Sequence, residues 1–186
     1  IGILGKAGAR AATNIPFRRL FGIGAPGAIR IQNAIEVEAP VEEVFDFFCH
    51  FENFPRFMQH IRQVSHTDTG AWHWEADGPL GMGVSWDAVV TRVQPNRRIT
   101  WRSIPGSEIA NAGSAWFEAV GPNRTRVHIQ MTYSPPAGAL GHGLATLLGR
   151  HPARQMDEDL VRFKSIIERG KTSAHGEHLT RQEVAA

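Results

Sequence analysis

IEVEAPVEEVFDFFCHFENFPRFMQHIRQV, residues 35–64, holds the transitions on which the fold turns. It opens inside an alternating run. Over residues 29–38, Ile29, Ile31, Ile35 and Val37 share one face and Arg30, Gln32, Glu36 and Glu38 the other, the pattern of a half-buried strand. Pro40 suits the first position of a helix, where a missing N–H costs nothing. Glu42 and Glu43 then fall at the positive end of the helix dipole. Val41, Val44, Phe45 and Phe48 recur at helical spacing, so this short helix buries one side. FENFPRFMQH (51–60) follows at once, with Phe51, Phe54, Phe57 and Met58 set around Pro55. A plain core helix would avoid the proline, and a surface loop would avoid the aromatic residues. Asn53 can cap a second short helix begun near Pro55. The break at Phe54–Pro55 bends the chain, so two short helices cover one apolar surface.

From residue 61 to 134 the pattern becomes that of strands: IRQVSHT, AWHWEAD, VSWDAVVTRV, RRITWRS, GSAWFEAV and RTRVHIQMTY. Turn residues separate them at Thr69-Gly70, Gly78–Gly83, Gln94-Pro95-Asn96, Pro105-Gly106 and Gly121-Pro122-Asn123. Six strands on short turns make an antiparallel meander, and the first strand brings the sheet to seven. After Pro135-Pro136, residues 138–169 read as a long helix in two parts. Leu140, Leu144, Leu147 and Leu148 form one stripe; Met156, Leu160, Phe163 and Ile167 form the next, with a kink expected between them at Gly149 and Pro152. Residues 171–186 are polar and read as a frayed tail. This order predicts an α+β fold in which a curved seven-stranded antiparallel sheet wraps around a long C-terminal helix, with two short helices after strand 1. Such a wrap has an inside, which is either filled by side chains or left as a cavity.

The 186 residues suit one domain with an arm. We divide them into an N-terminal Gly/Ala-rich arm (1–27), a folded body (28–170) and the polar tail (171–186). A hydrophobic fraction of 42% and a charged fraction of 20% are ordinary for a globular chain. The net charge of +2 argues against nucleic acid as a partner. The charge is uneven: residues 1–35 carry Lys6, Arg10, Arg18, Arg19 and Arg30 with no Asp or Glu, leaving a formal −3 for the rest. A basic arm on a mildly acidic body fits an anionic membrane surface and equally fits a solvated extension. The single cysteine, Cys49, can form no intrachain disulfide and reads as a small core residue. A cytoplasmic location, with or without membrane association, is expected. No uninterrupted apolar run approaches the ~18 residues of a membrane span. GKAGAR lacks the upstream glycine and the Ser/Thr of a phosphate loop.

All five tryptophans fall in the predicted sheet. Alternation puts Trp72, Trp74 and Ala76 on one face of their strand, Trp86, Ala88 and Val90 on one face of the next, and Ile99, Trp101 and Ser103 together on the third. Val127, Ile129, Met131 and Tyr133 point one way on the last. Around Trp116 the face is open to either reading, because Ala115, Phe117 and Ala119 compete for the inside. Each tryptophan buries on the order of 200 Å2. Two readings stand: a packed core or outer cover, and the wall of an apolar pocket. The pocket reading assigns Phe54, Phe57 and Met58 as a lid; Trp74, Trp86, Trp101, Ser103, Phe117, Met131 and Tyr133 from the sheet; and Leu144, Leu148, Met156 and Phe163 from the long helix. Phe51 is expected to cap the core. Nine histidines form no metal-ligand pattern, the serines lack a nucleophile elbow, and no cofactor, metal or catalytic set is assigned. His73, His128, Glu75 and Asp87 are expected on the outer face.

Together, IEVEAPVEEVFDFFCHFENFPRFMQHIRQV, GPLGMGVSWDA, RRITWRS, YSPPAGALGHGLATLLG and RQMDEDLVRFKSIIERG resemble the START-like SRPBCC superfamily. Within it they are most similar to bacterial polyketide cyclase/dehydrase-like proteins akin to the coenzyme Q-binding START domain. The resemblance covers roughly residues 29–170. It implies the helix-grip fold and a hydrophobic cavity between sheet and helix for lipids, quinones or polyketides. It also implies a hydrophobic membrane region upstream, of which residues 1–27 look like the trailing end. It carries over no catalytic set. Three functions remain: binding or transfer of a hydrophobic small molecule beside a membrane; a cyclase or dehydratase acting on a polyketide-like substrate through Ser103, Asn111, Glu118 or Tyr133; and a protein whose apolar face binds another chain. The sequence carries no signal for an oligomeric state.

Overall fold

A computed structural model describes residues 28–77, 83–134, 152–169, 171–174 and 177–180. Strand β1 (Ile29–Val37) is followed by helix α1 (Val41–Cys49) and a 3-10 helix (Phe51–Arg56). Strands β2 (Ile61–His66), β3 (Trp72–Asp77), β4 (Gly83–Gln94), β5 (Arg98–Ser103), β6 (Ala110–Gly121) and β7 (Arg124–Ser134) come next, and then helix α2 (Pro152–Arg169). The sheet order is β1-β7-β6-β5-β4-β3-β2, with every neighbouring pair antiparallel. A curled seven-stranded sheet closed by the C-terminal helix is the helix-grip arrangement.

Local chemistry explains the boundaries. Pro40 (φ −58°, ψ 149°) stands one position earlier than expected, just before α1 rather than inside it, and its carbonyl accepts the N–H of Val44 at 3.1 Å. The second short helix begins at Phe51, not near Pro55, and no side chain caps it. Phe54 explains the difference. Its carbonyl takes the N–H groups of both Phe57 and Met58, at 3.1 and 2.8 Å, so the turn closes around Pro55, which lies inside the 3-10 helix and donates no hydrogen bond of its own. Gly70 and Gly106 turn the chain with φ of 79° and 91°, and Asn96 with φ of 58°, as turn chemistry requires. Strand β6 starts three residues before GSAWFEAV. Residues 171–174 and 177–180 form a two-stranded antiparallel pair, β8 (Lys171–Ala174) and β9 (Glu177–Thr180), where a frayed tail was expected; four-residue strands are too short to show alternation.

Helix α1 fills part of the concave face. Its Val44, Phe45 and Phe48 are buried; Phe45 and Phe48 meet Phe117 of β6 edge-on, with ring centroids 5.1 and 5.4 Å apart. Helix α2 buries Met156, Leu160, Phe163, Ile166 and Ile167. Polar contacts hold it from both sides. On the β1 edge, Asn33 Nδ2 donates to Asp157 Oδ1 at 2.5 Å, Lys164 Nζ to the Glu36 carbonyl at 2.6 Å, and the Glu38 N–H to Glu168 Oε1 at 2.6 Å. Towards the β2 edge, Arg162 Nε donates to the Phe57 carbonyl at 3.0 Å. Among the described residues no helix is long and apolar enough to cross a membrane. The arm at 1–27, the turn after Asp77, and the expected first half of the long helix, with Leu144, Leu148 and the Gly149 kink, lie outside the described residues.

Candidate functional site

The described residues line a partly open cavity of about 130 Å3 between the sheet's concave face and α2. Strand register builds its wall. Trp74 and Trp86 are cross-strand partners and their rings stack 5.9 Å apart at 10°. Trp101 pairs with Val90 on one side and Gly113 on the other, and Gly113 in turn pairs with Met131. A Cβ on Gly113 would lie 2.3 Å from Trp101 Cζ2. The glycine therefore leaves room for the indole to lie across its strand, which is a packing reason for glycine inside a sheet.

The 3-10 helix closes one end. Phe51 meets Trp72 edge-on at 5.1 Å and 88°, and Phe54 meets Trp74 at 5.3 Å and 87°, the geometry that ring quadrupoles favour. Phe57 and Met58 complete this end. Phe51 is thus part of the wall as well as of the core. Trp116 turns to the other face, where Arg98 stacks 4.8 Å from its ring centre.

Of the residues that alternation and helix spacing nominate, the structure brings Phe54, Phe57, Met58, Trp74, Trp86, Trp101, Met131, Tyr133 and Met156 together around the cavity. Three described residues stand elsewhere. Phe117 is held in the core by Phe45 and Phe48. Phe163 is fully buried against Phe47, Phe48 and Phe57. The Ser103 hydroxyl accepts the N–H of Asn111 at 3.0 Å and lies outside the wall. Leu144 and Leu148 fall outside the described residues. Glu118 is on the outer face beside Arg126 and His128, and His73 pairs there with Asp87 at 2.6 Å.

The wall is aromatic and aliphatic with a few polar groups. Asn111 and Tyr133 are cross-strand partners that both line it. Burial pushes the Tyr133 phenol up to about 12, so it remains a neutral hydroxyl at physiological pH. The buried Tyr133 hydroxyl and Trp74 Nε1 have no hydrogen-bond partner among the described residues. His60 and Asp159 line the cavity where α2 passes the 3-10 helix. Asp159 is 1% exposed; burial raises its pKa, opposed by His60, Arg162 and Gln155. Burial lowers the pKa of His60, opposed by Asp159 and Asp77. Sequence reasoning passed over both residues. One signal for Asp159 was present: it interrupts the apolar stripe of Met156, Leu160 and Phe163, which is where an ionisable group is least expected.

This architecture has known counterparts. The family described as polyketide cyclase/dehydrase and lipid transport matches residues 37–161. An uncharacterized 17.2 kDa protein of Streptomyces lincolnensis is 30% identical over 139 residues, covering 75% of this chain and 89% of that one. A crystal structure from Deinococcus radiodurans is 32% identical with a TM-score of 0.61, covering 76% of this chain and 98% of its own. A Streptomyces aromatase/cyclase shares the fold at 12% identity and a TM-score of 0.59, covering 76% of this chain and 96% of that one. With the match spanning β2 to β7 and most of the wall, the chain belongs to the polyketide cyclase/dehydrase and lipid transport family of START-like SRPBCC proteins.

Proposed function

We propose that the protein binds and hands on a hydrophobic small molecule, of lipid, quinone or polyketide-like type, in the cavity under α2. Family membership supports either ligand binding or a cyclase role with such a molecule. The observation that carries the binding reading is the wall itself. Four of the five tryptophans, with Phe51, Phe54, Phe57, Met58 and Met131, surround one space, and no nucleophile–base pair faces it among the described residues. Burying a ring ligand there gains about 25 cal/mol per Å2 before association costs. A cyclase reading draws on Asn111 and Tyr133, whose polar groups could hold a carbonyl; Tyr133 serves as a hydrogen-bond donor there, since its phenol does not ionise near neutral pH.

The experiment is a titration of the purified protein with 1,4-naphthoquinone, read by tryptophan emission, alongside mass spectrometry of an organic extract of the freshly isolated protein. Saturable quenching that Trp74→Leu weakens, and a co-purifying apolar molecule, support the reading. Emission that only falls linearly, as for collisional quenching, together with an empty extract, defeats it. The membrane side of the proposal rests on the basic arm. It predicts sedimentation with vesicles containing phosphatidylserine, and loss of that sedimentation in 1 M salt, where charge interactions are screened within about 3 Å.

A further inference from the structure

At the edge of the cavity an acceptor and a potential donor face each other across an unfilled gap. Asp159 Oδ1 accepts from Arg162 Nη2 at 2.7 Å and from Gln155 Nε2 at 3.3 Å. Asp159 Oδ2 is buried and has no hydrogen-bond partner among the described residues. His60 Nδ1 stands 3.8 Å from it and is likewise buried without a hydrogen-bond partner among the described residues. Both residues line the cavity.

The arrangement is held from outside the gap. Arg162 is fixed by its second bond, from Nε to the Phe57 carbonyl, so it orients the carboxylate through Oδ1 and leaves Oδ2 turned to His60. The His60 backbone is pinned by the N–H of Asp77 at 2.8 Å. Two orphaned polar atoms at one spot are costly in a folded interior and call for an explanation.

We propose that His60 and Asp159 receive a hydroxyl group of the cavity's ligand, fixing the register of an otherwise apolar ring molecule. The hydroxyl donates to Asp159 Oδ2 and accepts from His60 Nδ1–H. A single oxygen at an ordinary hydrogen-bond length of about 2.8 Å from each atom fits their separation, subtending roughly a right angle. A hydroxyl supplies both a donor and an acceptor. An ether oxygen offers no proton to Oδ2 and sets lone pair against lone pair, so the site discriminates between the two. Selection of this kind arises because the mismatched ligand leaves buried groups unpaired. The inference deepens the cavity-binding reading and rests on it.

Calorimetric titration of the full chain with 2-naphthol, 2-methoxynaphthalene and naphthalene tests it. The wild-type protein is expected to bind 2-naphthol about tenfold more tightly than 2-methoxynaphthalene, the effect of one charge-assisted hydrogen bond. In Asp159→Asn the 2-naphthol to 2-methoxynaphthalene ratio is expected to fall to about one; in His60→Leu, where Oδ2 still accepts the hydroxyl but the N–H donor is gone, the advantage of 2-naphthol over naphthalene should shrink, and reading each ratio within one variant cancels any general loss of affinity. Should Asp159→Asn not fold, the wild-type ratio and His60→Leu decide the matter. Equal binding of the two oxygenated probes in the wild type overturns the hydroxyl site and leaves the cavity reading standing, the gap then belonging to solvent. An advantage of 2-naphthol over naphthalene that His60→Leu leaves unchanged also overturns it. If none of the three probes binds, the hydroxyl site and the cavity reading fall together.

Discussion

Replacing Gly113 with alanine tests the construction of the cavity wall. In an ordinary strand interior this change is favourable by roughly 0.5–1 kcal/mol, because glycine gives up more backbone freedom on folding. Here the new Cβ would stand 2.3 Å from Cζ2, 2.6 Å from Cε2 and 3.0 Å from Cη2 of Trp101. All three atoms belong to one rigid indole, so the whole ring must move. Its neighbours across the sheet, Val90 and Met131, restrict where it can go. Overpacking of this kind costs about 1–3 kcal/mol. The clash wins, and Gly113→Ala is expected to destabilise by about 1–2 kcal/mol. In a Trp101→Leu background the clash is gone, and the same alanine should stabilise by up to about 1 kcal/mol. The sign therefore reverses between backgrounds. Urea unfolding of the four proteins, followed by far-ultraviolet circular dichroism, measures the coupling. A Gly113→Ala effect equal in both backgrounds, within the roughly 0.5 kcal/mol of ordinary additivity, would refute the account of why a glycine stands in β6. The displaced indole should also weaken naphthoquinone quenching in the single variant.

Three further outcomes are expected. Arg162→Met leaves the buried Asp159 carboxylate without its 2.7 Å partner and should cost about 3–5 kcal/mol in urea unfolding. Phe163→Ala empties a site with 0% exposure at the junction of α1 and α2 and should cost about 3–5 kcal/mol, even though Phe163 lies outside the cavity wall. His60 should make stability pH-dependent. Its folded pKa is depressed below the usual 6.5 by burial, so the unfolded chain binds the proton first; the stability is fully present above 6.5 and is lost as pH falls from 6.5 through the folded value. The raised pKa of Asp159 works the other way, removing stability as pH rises above the ordinary carboxylate range, and that group is present in both proteins compared. Between pH 7 and 5 the urea midpoint of the wild type should fall more than that of His60→Gln, and parallel curves would contradict the assignment.

The inward faces of β3, β4 and β7 were legible because burial on one side of a twisted sheet forces alternation, and Trp74, Trp86 and Met131 follow it. The stripe of Met156, Leu160, Phe163 and Ile167 was legible for the same reason at helical period. Alternation states which side of the sheet a residue faces, but not whether the space there is open. Phe117 and Trp101 both sit on the concave face, yet Phe45 and Phe48 of α1 fill the space over Phe117, while Trp101 borders the cavity. That division depends on where α1 stops and the 3-10 helix turns the chain at His50–Phe51, a geometric fact no periodicity encodes. The early part of β6 was hidden for a related reason. Ala110-Asn111-Ala112 shows no alternation of large apolar and polar residues, and its pairing with Thr132–Ser134 of β7 makes it strand. The His60–Asp159 gap joins a loop to a helix at the far end of the chain, and its chemistry exists only once Arg162 has tied α2 to Phe57. If that tie orients the carboxylate, then Arg162→Lys, which keeps the charge but loses the two-pronged contact, should erode the 2-naphthol preference while restoring much of the stability lost in Arg162→Met. A variant that regains both equally would mean that charge alone, and not the guanidinium's fixed geometry, sets the polar end of the cavity.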